Sequence, residues 1–438
     1  MMDMQRILKT RNTGARRPAL KLWFLLCWLL TTAVACDSLV DEGTPSTPSD
    51  PPPAPGPGPD PGPGPDPGPV SPDLTRAPYL QSLGSSSVVV AFRTQDAVTA
   101  VVDYGTTLSF GASVTGPVTQ DHAIALGNLS PGQRYYYRVR SGSETLAGGG
   151  GYAFATDAGR SDTQFSFFST ADIGKSGGDQ EITAQRILQT SPQPEFGLLA
   201  GDIIYPDGEA SDYDANLMQP WADLLSVMPV WPALGNHDWH VDPETNFCAQ
   251  WVLPNNEHYY SFDYGNAHFI ALDTAEGQIY DRTNQIAWLR SDLQAHRDAT
   301  WTFVYYHHPG YTCTYKGYDD DVIESFHPLF DEFGVDVVFM GHAHTYERMY
   351  PMRGSDTPLD VNQDPNYTNP SGTIYIISGA GADPKSDTTP DCAINAVAID
   401  DSVLFSHVMV NGNTVRIRAI VSASGAVVDE ITITKTGL

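Results

Sequence analysis

From Thr163 onward, hydrophobic positions gather into short runs separated by amphipathic segments. The runs are Phe165-Ser166-Phe167-Phe168, Phe196 to Ala200, Pro229 to Ala233, Phe303 to Tyr306 and Val335 to Met340. Apolar runs this short, without polar alternation, predict strands covered on both faces. Between them, Asn284 to His296 places Ile286, Leu289 and Leu293 on one helical face. Strands alternating with helices predict an α/β architecture for residues 160–438. Residues 74–157 follow a different pattern. Ser87–Arg93, Thr99–Tyr104, His122–Leu126 and Tyr135–Val139 are strand candidates with turn residues between them, at the spacing of a small all-β sandwich. The aromatic run Tyr135-Tyr136-Tyr137 reads as core and strand face, and no catalytic cluster falls in this region.

Ahead of both regions the patterning disappears. Residues 43–73 are nearly all Pro, Gly, Asp, Ser and Thr, so residues 36–73 are expected to be an extended, semi-stiff linker with no core of their own. Residues 1–35 read as an export signal: a basic stretch, then the apolar run Leu22 to Leu30, too short to span a bilayer comfortably. Ala33-Val34-Ala35 before Cys36 resembles a bacterial lipoprotein cleavage box. That predicts lipidation at Cys36 and a chain held at the cell envelope, in the periplasm or on the outer surface. Arg16-Arg17-Pro18-Ala19-Leu20-Lys21 resembles a twin-arginine export signal.

Charge narrows the partners. The formal net charge is −28, and it moves to about −33 without the segment before Cys36, which holds six basic residues and one acid. Such a surface repels nucleic acid and anionic lipid. The membrane is therefore expected to be met only through a lipid on Cys36, and an anionic substrate needs local positive charge, for which bound metal is the obvious source. Of the cysteines after Cys36, namely Cys248, Cys313 and Cys392, two can pair in an exported protein; the sequence leaves open which. Oligomeric state is not legible.

Each apolar run of the second region leads into residues that bind metals. Asp172-Ile173-Gly174 follows the first, and Gly201-Asp202-Ile203-Ile204-Tyr205 the second. Gly235-Asn236-His237-Asp238, then His307, then Gly341-His342-Ala343-His344 follow the others. Taken singly, these have ordinary readings as turn residues, helix caps or structural histidines. Together they put carboxylates, a phenol, an amide and imidazoles at the carboxyl ends of strands, where open α/β sheets bind ligands. Carboxylate and phenolate suit a trivalent ion; amide and imidazole suit a divalent one.

In this order the five blocks resemble those of the purple acid phosphatases, within the calcineurin-like metallophosphoesterases. The resemblance extends through Tyr259 to Asn266 and His268 to Asp273, and so spans most of residues 160–385. Residues 129–139 resemble a late-strand signature of fibronectin type III-like domains, and such a domain precedes the catalytic one in larger members of the family. The family implies two β-sheets packed face to face and flanked by helices, with Gly372–Ile377, Val415–Ile420 and Glu430–Thr434 among the last strands. It also implies that Asp172, Tyr205 and His344 bind Fe(III), that Asn236, His307 and His342 bind a divalent ion (Zn, Mn or Fe), and that Asp202 bridges them. The implied reaction is hydrolysis of a small phosphate monoester by metal-bound hydroxide attacking phosphorus. His237 would meet a phosphoryl oxygen, and Asp238 would orient His237 or a ligand. Plant-type members carry a His pair about ten residues beyond the position of His307; here that stretch is Tyr311 to Lys316, without His. His308 is the first candidate to replace it, with His240, Tyr315 and Lys316 behind. A phosphodiesterase or nucleotide pyrophosphatase on the same metals is the alternative. A non-catalytic surface binding protein is disfavoured, because its cheapest signature, a missing ligand, is not present.

Overall fold

The computed structural model describes residues 70–71, 73–177, 179–274, 279–354, 357–359, 361, 364–389 and 392–437. The export signal, Cys36 and nearly all of the linker lie outside these residues. The first described strands are β1 (Leu74–Gln81), β2 (Val88–Gly105), β3 (Ala112–Leu126), β4 (Arg134–Ser141) and β5 (Glu144–Ala155). They form one hydrogen-bonded set in the order β1-β2-β4-β5, with β3 also paired to β2. Ser87–Arg93 and Thr99–Tyr104, read as two strands, are the two halves of β2. Its first half pairs with β1 and its second with β4, while β3 follows it throughout. The register breaks between Arg93 and Val98, where Gln95, Asp96 and Ala97 are exposed, so polar residues that resembled a turn are a bulge. β5 escaped the sequence reading because Gly148 to Gly151 interrupt its apolar pattern.

The rest of the chain builds two seven-stranded sheets. Its strands are β6 (Gln164–Thr170), β7 (Phe196–Ala200), β8 (Val230–Ala233), β9 (Tyr260–Tyr264), β10 (Ala267–Ala271), β11 (Trp301–Tyr305), β12 (Val337–Met340), β13 (Tyr346–Met349), β14 (Asn366–Thr368), β15 (Ile374–Ser378), β16 (Asn395–Ile399), β17 (Leu404–Asn411), β18 (Thr414–Val421) and β19 (Val427–Thr434). One sheet runs β14-β19-β18-β17-β6-β7-β8 and the other β16-β13-β15-β12-β11-β10-β9. Phe167 and Phe196 of the first meet Phe269 of the second with ring centres 5.2 and 5.3 Å apart, so the sheets pack face to face. Outside the second sheet, Leu289 and Leu293 of helix Arg282–Ala295 and Phe326 and Phe330 of helix Asp320–Phe333 cover Val304 and Tyr306. β11 thus serves two cores, with Phe303 and Tyr305 turned inward and Val304 outward. That double burial is why these strands read as unbroken apolar runs.

β1 and β4 brace the loops over the two seven-stranded sheets. The Arg76 guanidinium donates to Asp214 and, at 2.9 Å, to Gln250 Oε1; Tyr79 OH donates to the Gln250 carbonyl and Tyr137 OH to that of Ser226. A disulfide joins Cys313 and Cys392, and Cys248 is buried and unpaired.

Candidate metal centre

Strand ends of both sheets converge at one edge. Asp172 and Asp202 lie two residues beyond β6 and β7, Asn236 three beyond β8, and His307 and His342 two beyond β11 and β12. Asp172, Asp202 and His342 all have left-handed backbones, at φ +57°, +51° and +68°. Non-glycine residues held there collect at functional sites. Gly201, at φ +86°, lets the neighbouring imidazole in: a Cβ there would fall 2.5 Å from His307 Nδ1.

The side chains fall into two groups. Tyr205 Oη is 2.9 Å from both Asp172 Oδ1 and Asp202 Oδ2 and 3.2 Å from His344 Nε2. Asn236 Oδ1 is 2.9 Å from His342 Nδ1 and 3.2 Å from His307 Nε2. Asp202 touches both groups, because its Oδ1 is also 3.2 Å from His307 Nε2. Backbone amides hold the carboxylates: His342 N–H donates to Asp172 and His237 N–H to Asp202, each at 2.9 Å.

The donor chemistry fits cations better than it fits itself. His307 Nδ1 faces the Ala200 carbonyl at 2.9 Å and His344 Nδ1 the Asp383 carbonyl at 2.7 Å. A carbonyl only accepts, so each Nδ1 carries a proton and each Nε2 is the ring atom turned inward. The inward nitrogens face the oxygens of Asp202, Asn236, Asp172 and Tyr205. One phenol hydrogen cannot satisfy two carboxylates and an imidazole. A cavity with more lone pairs than protons is what metal ions require.

Titration follows the same arrangement. Burial raises the Tyr205 phenol well above its usual range, with Asp172 and Asp202 adding to it, so phenolate needs a strongly acidic cation beside it. Burial opposes charge on His307, but the Asp202 carboxylate outweighs it and brings the imidazole up to about 9. Burial, then His307 and His308, hold His342 neutral with its lone pairs available.

Around this centre, the side chain of His237 is partly exposed. Its Nδ1 meets the Pro206 carbonyl and its ring lies 4.3 Å from that of Tyr205, which turns Nε2 toward the site, 3.9 Å from Asp202 Oδ2. Asp238 is fully buried and accepts backbone N–H groups from Ile203, Ile204 and Gly235 at 2.9–3.2 Å. It therefore ties the Asp202 loop to the Asn236 loop. Burial, with Asp202 adding, raises its carboxyl to about 7. His308 packs on His342 with ring centres 4.5 Å apart, and its Nδ1 faces Thr274 Oγ1. Burial first and His307 second lower it to about 3. Lys316 Nζ is 3.2 Å from His342 Nε2, at a 490 Å³ cleft also lined by His308, Tyr318 and Asp319. His240 pairs with Asp207 at 2.9 Å and Tyr315 is exposed. The sequence reading missed Asp383, whose carbonyl orients His344. It follows β15 and a Gly379-Ala380-Gly381 turn, the same strand-then-turn signal that marked the other blocks.

A family model described as calcineurin-like phosphoesterase matches residues 161–346. Those residues form a calcineurin-like phosphoesterase domain. By sequence, the chain is 30% identical to purple acid phosphatase 18 of Arabidopsis thaliana, over 59% of this chain and 57% of the plant protein. It is 28% identical to acid phosphatase type 7 of Mus musculus, over 59% and 63%. The chain thus spans somewhat under two thirds of the length of these relatives. Purple acid phosphatase PPD1 of yellow lupin shares the fold of the chain, with a TM-score of 0.72, 19% identity and coverage of 82% of this chain and 75% of that one.

Proposed function

We propose that the chain hydrolyses phosphate monoesters at a pair of metal ions, and that Asp172, Tyr205 and His344 hold one while Asn236, His307 and His342 hold the other. The observation that carries this reading is Asp202, a buried carboxylate within reach of both donor groups. The phenol beside two carboxylates suits Fe(III), and the amide with two imidazoles suits a divalent ion such as Zn, Mn or Fe. Two such ions supply positive charge to the phosphoryl oxygens and acidify bound water.

The chain's own residues position the ester. His237 Nε2 donates to a phosphoryl oxygen or to the departing alcohol oxygen. Lys316, whose ammonium is destabilised chiefly by burial, places a second donor on the cleft side. Asp238 keeps the two ligand loops in register, and His308 packs the divalent side. Export and lipidation at Cys36 belong to the same proposal, with acylation of that residue checked by mass spectrometry. Elemental analysis and visible spectra test the centre. The expected results are two metal ions per chain, a phenolate-to-iron absorption band that disappears in Tyr205→Phe, and loss of metal and turnover together in Asp202→Ala. An Asp202→Ala variant with full metal content and turnover rules out the shared-carboxylate centre.

A further inference from the structure

Three more cation-binding side chains meet under the loop that follows His237. Glu244 and Cys248 are four residues apart, across the short helical turns Pro243–Asn246 and Cys248–Gln250, which brings both to one side. Glu244 Oε1 is 3.0 Å from His258 Nε2, and one ligand atom each from Glu244, Cys248 and His258 lies within 4.8 Å of the others.

The other side of the imidazole is already arranged as it is in metal sites. His258 is 1% exposed, and its Nδ1 is 2.7 Å from Asp273 Oδ2, a fully buried carboxylate. Asp273 also accepts from Trp239 Nε1 at 3.1 Å, and Tyr280 stacks on the imidazole at 4.0 Å. Asp273 fixes the ring orientation and aims Nε2 at the ligand position. Burial opposes charge on this imidazole, but Asp273 and Glu244 on its two sides help to raise it to about 10, so a cation at Nε2 takes the place of a proton.

We propose that Cys248 Sγ, His258 Nε2 and Glu244 bind a divalent, zinc-class ion, separate from the catalytic pair. One sulfur, one nitrogen and one oxygen make a mixed donor set that suits a borderline cation, with the exposed Glu244 on the solvent side. Binding displaces the thiol proton and any proton on Nε2, so metal uptake releases acid. The ion would pin residues 244–258 beside the cleft. Through Asp273 and Trp239 the site connects to the turn His237–Trp239, and through Gln250 to Arg76 of β1.

Cobalt(II) is the probe, because none of the residues assigned to the catalytic pair is a thiolate. Full-length protein, stripped with chelator and titrated with cobalt, should develop thiolate-to-cobalt charge-transfer absorption in the near ultraviolet, saturating at one ion per chain. The band should survive Asn236→Ala with His342→Ala, disappear in Cys248→Ser, and require about tenfold more cobalt in Glu244→Gln. No band in the wild-type protein at saturating cobalt overturns the proposal, as does a band that persists in Cys248→Ser. The wild-type titration decides the matter even if a variant does not fold.

Discussion

Replacing His237 by Ala separates chemistry from metal binding. The residue's link to the centre is through its backbone: N–H donates to Asp202 Oδ1 at 2.9 Å, while the ring is partly exposed and placed beside Tyr205. Alanine keeps that amide, so metal content should match the wild type. What is lost is one hydrogen bond to a charged phosphoryl oxygen, worth about 1.5–3 kcal/mol, or roughly ten- to a hundredfold in turnover. If the same imidazole also protonates the departing alcohol, the loss grows to about 10²–10⁴-fold for poor leaving groups. The assay is kcat for an aryl phosphate and for an alkyl phosphate, with elemental analysis of each preparation. The expected pattern is equal metal, a modest loss with the aryl ester and a larger one with the alkyl ester. Wild-type turnover on the alkyl ester removes His237 from the mechanism; a preparation depleted of metal shows that its role is structural.

Gly201→Ala should lower both the melting temperature and metal affinity, because its Cβ meets the His307 ring and its backbone at φ +86° costs about 1–3 kcal/mol for a residue with a side chain; thermal melts with and without metal check this. His268→Gln should cost about 1–3 kcal/mol near pH 6, since it removes the cation that hydrogen-bonds to two partly exposed carboxylates. His268 Nδ1 is 2.7 Å from Asp263 and Nε2 2.8 Å from Asp292. Burial opposes the charge on that imidazole, but the two carboxylates outweigh it and raise its pKa. The stabilisation is therefore complete below the unfolded value of about 6.5 and fades as pH rises through the folded one. Denaturation of wild type and variant should converge at alkaline pH, and a gap that does not shrink contradicts the assignment. Reducing the Cys313–Cys392 disulfide, which closes 79 residues, should lower stability by about 4 kcal/mol in urea titrations.

The sequence disclosed most where burial and chemistry repeat together. β6, β7, β8, β11 and β12 are covered on both faces, so each is an unbroken apolar run, and each ends in a ligand-type residue. The two-halved grouping around Asp202 is implied by the family resemblance, not by the pattern of runs. Less was legible where long-range pairing decides. β2 continues through a polar bulge because β3 tracks its whole length, and β5 hides behind four glycines. Cys313 pairs with Cys392 because the fold brings the two segments together, which no local pattern records. Asp238 is expected from the sequence to orient His237 or a ligand, and its carboxylate accepts from the amides of Ile203, Ile204 and Gly235, beside Asp202 and Asn236. His308 and Lys316 are both candidates for the missing His pair, but their order cannot be read without seeing that His308 is buried against His342 and that Lys316 Nζ lies beside the same ring.

The most direct test compares kcat/KM for an aryl phosphate monoester with that for the matching diester, using full-length protein supplied with iron and a second metal. The proposed pair of ions, with His237 and Lys316 facing a monoester dianion, predicts a strong preference for the monoester. A preference for the diester contradicts the phosphatase assignment and moves the chain to phosphodiester hydrolysis on the same ligands.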